Sequence, residues 1–400
     1  MILASEIGCN STHNTKISNM SNKVNNNYSQ DKEFLKKYGD VIELSSGDKR
    51  VLLSSRFQGR VFTSSANGEN GLSFGWINYS HFESGAVSTQ FNPYGGEERI
   101  WFGPEGGPYS IYFQKDKEQT FENWKVPVEI DTITYSVVEK SPEHVKFSKD
   151  FQFTNYSGHQ LKVGLERSVK LINAEDAERT LGCPIDKSLS YVGYQSDNAL
   201  INRGINKWNE NTGVLSIWML SMFNPSPVGV VFIPFKDGED LGKIVTDDYF
   251  GKVPSERLII RNNIIFFNID GKLRSKIGIS PERALPYCGS YDSQNKVLTI
   301  LWFTLPDKNM QYVNAIWGKQ ENPLKGDAVN SYNDGPVEDG SVMGPFYEIE
   351  SSSPAAFLAP EERMEHVQRI YHFVGDEQKL DIITKRIFNL SIEEIKSVFK

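Results

Sequence analysis

The chain has 400 residues, a mass of 45.3 kDa and a formal net charge of −8 at pH 7, with a pI near 5.5. An acidic chain without clustered lysine and arginine is not expected to bind nucleic acid. No run of about 18 apolar residues occurs, so the sequence predicts no membrane-spanning helix. Aromatic residues make up 12% of the chain. Such rings favour β-strands and also provide flat surfaces for stacking.

The first 30 residues are predicted to form a disordered tether. A short apolar start, MILASEIGC, ends in Cys9 and is followed by an Asn- and Ser-rich segment with few apolar anchors. A small residue before a cysteine and a polar tether is typical of bacterial lipoproteins, although the apolar part is too short for a complete signal. Two interpretations stay open: a lipid anchor at Cys9 with a periplasmic or cell-surface location, or an unanchored tail on a cytoplasmic protein.

After the tether the chain is patterned as β-strands. The segment Val41–Ser55 predicts a hairpin with its turn at Gly47 and Asp48. The segments 128–140, 144–155 and 161–171 alternate apolar and polar residues with a period of two, which predicts an antiparallel meander with one buried face.

Later segments predict the buried strands of a two-sheet sandwich. The runs 213–223, 228–235, 258–270 and 297–305 are almost wholly apolar, as expected for strands covered on both faces. Helical periodicity is found only near the C-terminus, in DEQKLDIITKRIFN and in SIEEIKSVFK, where Ser391 and Glu394 match a capping box. We expect these helices to cover a sheet edge. Since no linker follows the tether, residues 31–400 are predicted to form a single all-β domain.

No short motif identifies the chemistry. The sequence contains no GxSxG, Walker, HExxH or strand-linked GxGxxG motif and no CxxC pair, so we expect no cofactor and no resident metal. The acidic segment VTDDYFGK could hold calcium, but a solvated turn is the better interpretation. Cys183 and Cys288 form a disulfide in an oxidising compartment or remain two buried thiols; the spacing does not decide.

Three polar segments are candidates for a binding site. The first, FNPYGGEERIWFGPEGGPYSIYF (Phe91–Phe113), has two glycine pairs that permit close backbone approach or positive φ. The second, Ser196–Gly213, is rich in asparagine and equally suits an ordinary turn. The candidate ligand-binding residues of these two segments are Asn92, Arg99, Trp101, Glu105, Asn198, Asn202 and Trp208.

The third segment is near the C-terminus, where Glu348 and Glu350 alternate along a predicted strand and therefore share one face. Two carboxylates on the inner face of a sheet are costly unless something uses or pairs them. Among the six histidines, His81 is the best-placed general acid on position alone, because it lies shortly before the first candidate segment. A structural role is the more common one for any single histidine.

Four segments together resemble a known family: GGEERIWFGPEGG, FENWKVP, NRGINKWNENTGVLSIWML and YEIESSSPAAFLAPEE. They are similar to an uncharacterised Bacteroidetes family within the galactose mutarotase-like (aldose 1-epimerase) superfamily. The resemblance covers most of the chain after about Val41 and implies a β-supersandwich that binds a mono- or oligosaccharide in a groove.

In mutarotases a glutamate near the C-terminus takes the proton of the anomeric hydroxyl, and a histidine protonates the ring oxygen. The resemblance places Glu348 in the first role and Glu350 as its polar neighbour. The segment that holds the histidine in mutarotases offers Glu166 and Arg167 here. Because arginine is a poor acid near neutral pH, ordinary mutarotation is in doubt, and Arg167 is assigned to substrate binding.

The sequence therefore predicts a carbohydrate-binding β-supersandwich, with epimerase-type catalysis by Glu348 as base and His81 as the remaining acid. The alternatives are a non-catalytic glycan-binding surface lipoprotein, and a polysaccharide lyase or glycoside hydrolase on the same fold.

Overall fold

The computed structural model describes residues 27–307, 310–337 and 340–400. The strands in these residues are β1 (Ile42–Ser46), β2 (Lys49–Ser54), β3 (Arg60–Ser65), β4 (Arg99–Gly103), β5 (Ser136–Lys140), β6 (His144–Thr154), β7 (Gln160–Leu171), β8 (Ser190–Asn202), β9 (Ser216–Phe223), β10 (Gly229–Pro234), β11 (Leu258–Arg261), β12 (Ile264–Asn268), β13 (Ser275–Ile279), β14 (Tyr287–Asp292), β15 (Val297–Phe303), β16 (Val329–Asn333), β17 (Tyr347–Ser352) and β18 (Arg363–Val374). The helices are α1 (Tyr28–Leu35), α2 (Tyr79–Ser84), α3 (Val128–Asp131), α4 (Ala174–Leu181), α5 (Glu377–Phe388) and α6 (Ile392–Ser397).

The strands form two large antiparallel sheets and a small one. The ten-stranded sheet has the order β11-β12-β10-β14-β15-β18-β8-β7-β6-β5, and the five-stranded sheet has the order β13-β16-β17-β9-β4. The third sheet, β1-β2-β3, is joined to the β4 end of the five-stranded sheet by a bridge between Val61 and Glu98. The predicted all-β sandwich with short C-terminal helices is confirmed.

Most of the predicted strands are present. The hairpin of β1 and β2 turns at Gly47 and Asp48, as predicted, and Gly47 has a φ of +57°. The predicted strand 258–270 is instead a hairpin of β11 and β12. Its turn residues, Asn262 and Asn263, both have positive φ (53° and 59°), which asparagine tolerates better than most residues.

The expectation that helices occur only at the C-terminus is wrong. Residues 128–140, predicted as a strand, begin with α3 and reach β5 only at Ser136, and α1, α2 and α4 also precede the C-terminal pair. Each of these helices is short, so its apolar periodicity spans too few turns to stand out. Helix α1 begins at Tyr28 with Asn27 as a capping box residue, inside the predicted tether. Cys9 lies outside the described residues.

The C-terminal helices cover a sheet face and not a sheet edge. Leu380, Ile383 and Ile395 pack with apolar side chains of the ten-stranded sheet, including Phe232 and Ile300. The capping box predicted at Ser391 and Glu394 is present at the start of α6. The two helices therefore bury the outer face of the ten-stranded sheet.

The two central cysteines are free thiols. Cys183 packs under the C-terminal helices, and Cys288 lies in the main core between the sheets. Burial raises the pKa of both thiols. The alternative of two buried thiols is the one the structure shows.

A buried polar network lies between the two large sheets. Arg167 on β7 is fully buried, and its Nη2 donates to Glu98 Oε1 at 2.7 Å, while its Nη1 donates to Asn198 Oδ1 at 2.7 Å. The second oxygen of Glu98 accepts from Gln368 at 2.8 Å and from Ser196 at 3.1 Å. Arg167 and Asn198, predicted to bind substrate, lie in the interior, where Arg167 pairs with the buried carboxylate and Asn198 accepts from Arg167.

We expect Arg167→Met to lower the free energy of unfolding by about 3–5 kcal/mol, because Glu98 loses its ion-pair partner in the interior. Denaturant unfolding followed by tryptophan fluorescence measures the change. The matched control is Arg179→Met on α4, whose pair with Asp176 is exposed and contributes at most about 1 kcal/mol. Equal stability of the two variants would contradict the assignment.

Candidate functional site

The face of the five-stranded sheet that points away from the ten-stranded sheet carries the candidate site; we call it the groove face. Alternation along β17 defines it: Tyr347 bonds to Ser290 and Ser351 bonds to Gln368 across the core, so Glu348 and Glu350 point the other way. The strand register places these side chains on the groove face: Arg99, Trp101, Trp218, Leu220, Met222, Lys276, Asn330, Tyr332, Glu348, Glu350 and Ser352.

Glu348 and Arg99 form a buried pair on this face. Arg99 Nη2 lies 3.4 Å from Glu348 Oε1, and each side chain is only 7% exposed. Burial raises the pKa of the Glu348 carboxyl to about 7, although Arg99 opposes the shift and Glu350 adds to it. A carboxyl with this pKa can both accept and return a proton near neutral pH.

Glu350 has a different environment. Its Oε2 accepts from Lys276 Nζ at 2.9 Å and from Trp218 Nε1 at 2.8 Å. Burial alone would lower the pKa of Lys276, but Glu350 and Glu105 outweigh it and raise that pKa, so the ammonium stays charged. Glu350 is thus the carboxylate of β17 that is held by a cation and an indole.

A small cavity opens beside Lys276 and Trp218. Two acids other than Glu348 and Glu350 line this cavity, namely Glu105 and Asp327. Burial raises the pKa of Asp327 to about 6, against the hydrogen bond that Tyr249 donates to it. Burial also raises the pKa of Glu105, with Lys276 and the Trp317 indole opposing. The cavity therefore has carboxyl groups that carry protons more readily than exposed ones do.

The groove face has polar atoms that the described residues leave unpaired. Arg99 Nε and Nη1, Trp101 Nε1, Glu350 Oε1 and the Ser216 hydroxyl are buried and have no hydrogen-bond partner among those residues. The Arg99 guanidinium lies 4.3 Å from the centre of the Trp101 ring, and Trp101 packs edge-on against Trp218, which lines the cavity. Buried donors and acceptors without partners are costly, so they indicate a place for a polar ligand.

The two glycine pairs of the Phe91–Phe113 segment have a structural role. A Cβ on Gly95 would lie 2.4 Å from Trp76 O, and one on Gly106 would lie 2.4 Å from Ile316 O. Gln119 joins the two loops above the cavity: its amide bonds to both backbone groups of Gly107, at 2.8 and 2.9 Å, and accepts from Gly318 N at 2.8 Å. The glycines let the chain approach itself, and not a ligand as expected.

Two predicted site residues lie beside the groove face without belonging to it. His81 is on α2 with its ring 4.8 Å from that of Tyr94, and burial lowers its pKa. Asn92 is buried and donates from Nδ2 to Asp131 at 2.7 Å. The structure gives His81 no contact with Glu348.

Asn202 and Trp208 support a loop. Asn202 Nδ2 donates to Asn206 O and Leu358 O, both at 2.9 Å, and the backbone of Trp208 donates to Leu358 O at the same distance. Of the predicted site residues, the structure brings together Arg99, Trp101, Glu348 and Glu350, with Glu105 at the adjoining cavity. Asn92, Arg167, Asn198, Asn202, Trp208 and His81 are held elsewhere.

Sequence reasoning missed Lys276, Asp327, Tyr249 and Trp218. Lys276 sits on a five-residue edge strand, SKIGI, whose alternation with Ile277 and Ile279 is a signal that places its side chain opposite a buried face. Asp327 and Tyr249 belong to loops, where no periodicity indicates direction.

Comparison with known proteins gives a fold class and a family. The chain is 10% identical to the Slr1438 protein of Synechocystis sp. PCC 6803, over 84% of this chain and 96% of that one, with a TM-score of 0.51. It is 10% identical to a galactose mutarotase-like protein from Lactobacillus casei ATCC 334 (83% and 100% covered, TM-score 0.48). It is 9% identical to a galactose mutarotase related enzyme from Lactobacillus acidophilus (83% and 97% covered, TM-score 0.46).

The chain is an antiparallel β-sandwich whose fold is similar to that of the Slr1438 protein. More narrowly, it belongs to the family of unknown function DUF6786, whose model matches residues 26–399. No curated protein matches it. The similarity at 10% identity concerns the fold alone.

We expect the free energy of unfolding to fall by about 1–3 kcal/mol as the pH rises from about 4.5 to 7 on account of Glu348. Its folded pKa of about 7 exceeds the ordinary 4.5, so between these values the folded state keeps a proton that the unfolded state has lost. The stabilisation is complete below about 4.5 and gone above about 7. Denaturant unfolding of wild type and Glu348→Gln across this range measures it; parallel curves would contradict the prediction.

Proposed function

We propose that the protein binds a carbohydrate on the groove face and acts on it by acid–base chemistry of the aldose-epimerase type, with Glu348 as the proton acceptor. The observation that carries the proposal is the buried Glu348 carboxyl, with a pKa of about 7, beside Arg99 and on the same sheet face as Trp218 and Lys276, which line the cavity.

The chemistry of the groove face suits a sugar. A sugar has a hydroxyl-rich edge, which needs both donors and acceptors, and apolar C–H faces, which pack on aromatic rings. Arg99 and Trp101 supply unpaired donors, Glu350 supplies an unpaired acceptor oxygen, and Trp218 and Tyr249 supply ring surface at the cavity. Aromatic lining with a few placed polar groups is the usual composition of a small-molecule site, and here the polar groups include both donors and acceptors, as hydroxyl groups require.

The proposed step moves one proton to the protein and one from it. Glu348, ionised, takes the proton of the anomeric hydroxyl. The bond between the anomeric carbon and the ring oxygen breaks, and that oxygen receives a proton from an acid across the sugar. The open-chain aldehyde then turns and closes from its other face, and both protons return.

Asp327 is the proposed acid. The segment that holds the mutarotase histidine has Glu166 and Arg167 in this chain. Asp327, however, lines the cavity and has a pKa of about 6, so a part of the population of this carboxyl is protonated near neutral pH. The hydrogen bond from Tyr249 fixes the orientation of its carboxyl group. Glu105 lines the same cavity, so a substitution of Glu105 is the control for a substitution of Asp327.

The second candidate function is non-catalytic glycan binding. One observation favours it: His81 packs against Tyr94 and has no contact with Glu348. A groove that keeps Arg99, Trp218 and Lys276 but lacks an efficient acid would bind a sugar without turning it over.

We expect Glu348→Gln to lower the rate of anomer exchange by about 10²–10⁴-fold, because glutamine cannot accept the proton. Exchange NMR on a panel of aldoses measures the rate, and calorimetry on the same sugars measures binding, which the variant should retain. Glu175→Gln on the exposed surface of α4 is the control. Binding without any exchange in wild type would support the second candidate and sink the first.

We expect the rate to be highest between about pH 6 and 7. The reaction needs Glu348 ionised and Asp327 protonated, and the two carboxyls have pKa values of about 7 and about 6. The rate therefore falls on the acid side as the base is protonated and on the alkaline side as the acid ionises. Initial rates from pH 5 to 9 test this; a profile unchanged across that range contradicts the acid–base pair. Asp327→Asn should lower the maximum more than Glu105→Gln does.

A periplasmic or cell-surface location, with a lipid on Cys9, remains a proposal, since Cys9 lies outside the described residues. In the part of the chain that the structure describes, no helix is long and apolar enough to cross a bilayer. Metabolic labelling with a palmitate analogue, in wild type and Cys9→Ser, would test the anchor.

A further inference from the structure

Arg60, at the start of β3, is a buried cation without a counter-ion. Its residue is 1% exposed, and it forms no ion pair with any described residue. Its guanidinium donates to Gly95 O and, at 3.5 Å, to Gln58 Oε1, while Nε has no partner. Burial, followed by the charge of Arg99, lowers the pKa of Arg60 to about 9, so it is still charged at neutral pH.

Arg99 is the second cation of this cluster and is only partly compensated. Its one ion-pair partner among the described residues is Glu348, at 3.4 Å, which is longer than a normal charge-assisted hydrogen bond. Its Nε and Nη1 have no acceptor. Two arginines, each at least nine-tenths buried, thus have three nitrogens without a hydrogen-bond acceptor.

The nearby carboxylates do not supply the missing charge. Asp131 influences both arginines but accepts from Asn92 Nδ2 at 2.7 Å and forms no ion pair with them. Lys276, at the other side of the groove face, is already compensated by Glu350. The excess of positive charge and of unpaired donors is therefore at the Arg99 end, where Trp101 Nε1 adds one more donor.

We propose that the carbohydrate ligand is acidic, and that its oxoanion binds at the Arg99 end of the groove face, with Arg60 behind it as a second positive charge. This inference rests on the proposed function and narrows its substrate class. The unpaired donors require a group with several acceptor oxygens and a negative charge. A sugar carboxylate, a sulfate ester and a phosphate ester each provide such a group.

An oxoanion on Arg99 offsets part of the positive charge that favours the ionised form of Glu348. Binding of an acidic sugar therefore raises the pKa of that carboxyl and moves the acid side of the rate profile to higher pH. Ligand binding should then take up a proton and strengthen as the pH falls from 8 to 6.

The first experiment uses the full-length protein and simple anions. Thermal unfolding is measured in sodium sulfate, phosphate and chloride at equal ionic strength, for wild type, Arg99→Met and Arg99→Lys. We expect sulfate or phosphate to raise the unfolding temperature of wild type above that in chloride, the increment to vanish in Arg99→Met and to be partly kept in Arg99→Lys. Arg363→Met, on the exposed side of β18, is the control and should keep the increment. No increment in wild type, or an equal one in Arg99→Met, overturns the proposal.

The second experiment identifies the source of the anion. Calorimetry compares matched sugars: glucose with glucuronate, glucose 6-sulfate and glucose 6-phosphate, and galactose with galacturonate. We expect at least one acidic member to bind about tenfold or more tightly than its neutral parent, with proton uptake shown by the dependence on buffer ionisation enthalpy. Neutral parents that bind as tightly as all their acidic partners overturn the inference. If Glu348→Gln then abolishes turnover of those neutral sugars, the proposed function stands and only the inference of an acidic ligand is wrong.

Discussion

The position of β17 in the middle of the five-stranded sheet is the constraint on which the rest depends. Its register is fixed by β16 on one side and β9 on the other, so its alternate side chains must be accommodated on two buried faces. On one face Tyr347 and Ser351 bond to the ten-stranded sheet; on the other Glu348 and Glu350 need cations. The core and the groove face are therefore two sides of one strand, and a one-residue slip would exchange them.

Alternation made the fold and half of the candidate site predictable. The period-two segments and the apolar runs indicated the sandwich, and the spacing of Glu348 and Glu350 put both on one face. The strand itself did not indicate whether Glu348 and Glu350 point to the core or to the groove face, because both sides of β17 are buried. For Lys276 the alternation with Ile277 and Ile279 indicates the direction of the side chain, but its pairing with Glu350 across β16 follows only from the fold.

Arg99 and Arg167 show why local reasoning cannot separate a ligand-binding residue from an internal one. Both lie on strands, and both have a glutamate partner distant in sequence. Arg167 donates to Glu98 at 2.7 Å and also to Asn198, so its donors are used. Arg99 lies 3.4 Å from Glu348, and two of its nitrogens have no hydrogen-bond partner among the described residues. The difference depends on which strands are neighbours in space, and single-sequence patterns do not contain that information.

The Gln119 amide holds Gly107 and Gly318 together, so it links two segments that both contribute residues to the cavity lining. The segment after β4 and the segment before β16 share this side-chain amide, so a shift of one against the other breaks the hydrogen bond from Gly318 N. The two segments are therefore coupled. Relatives that accept longer or branched ligands would have to change both loops together, and the residue at position 119 would mark which of them had done so.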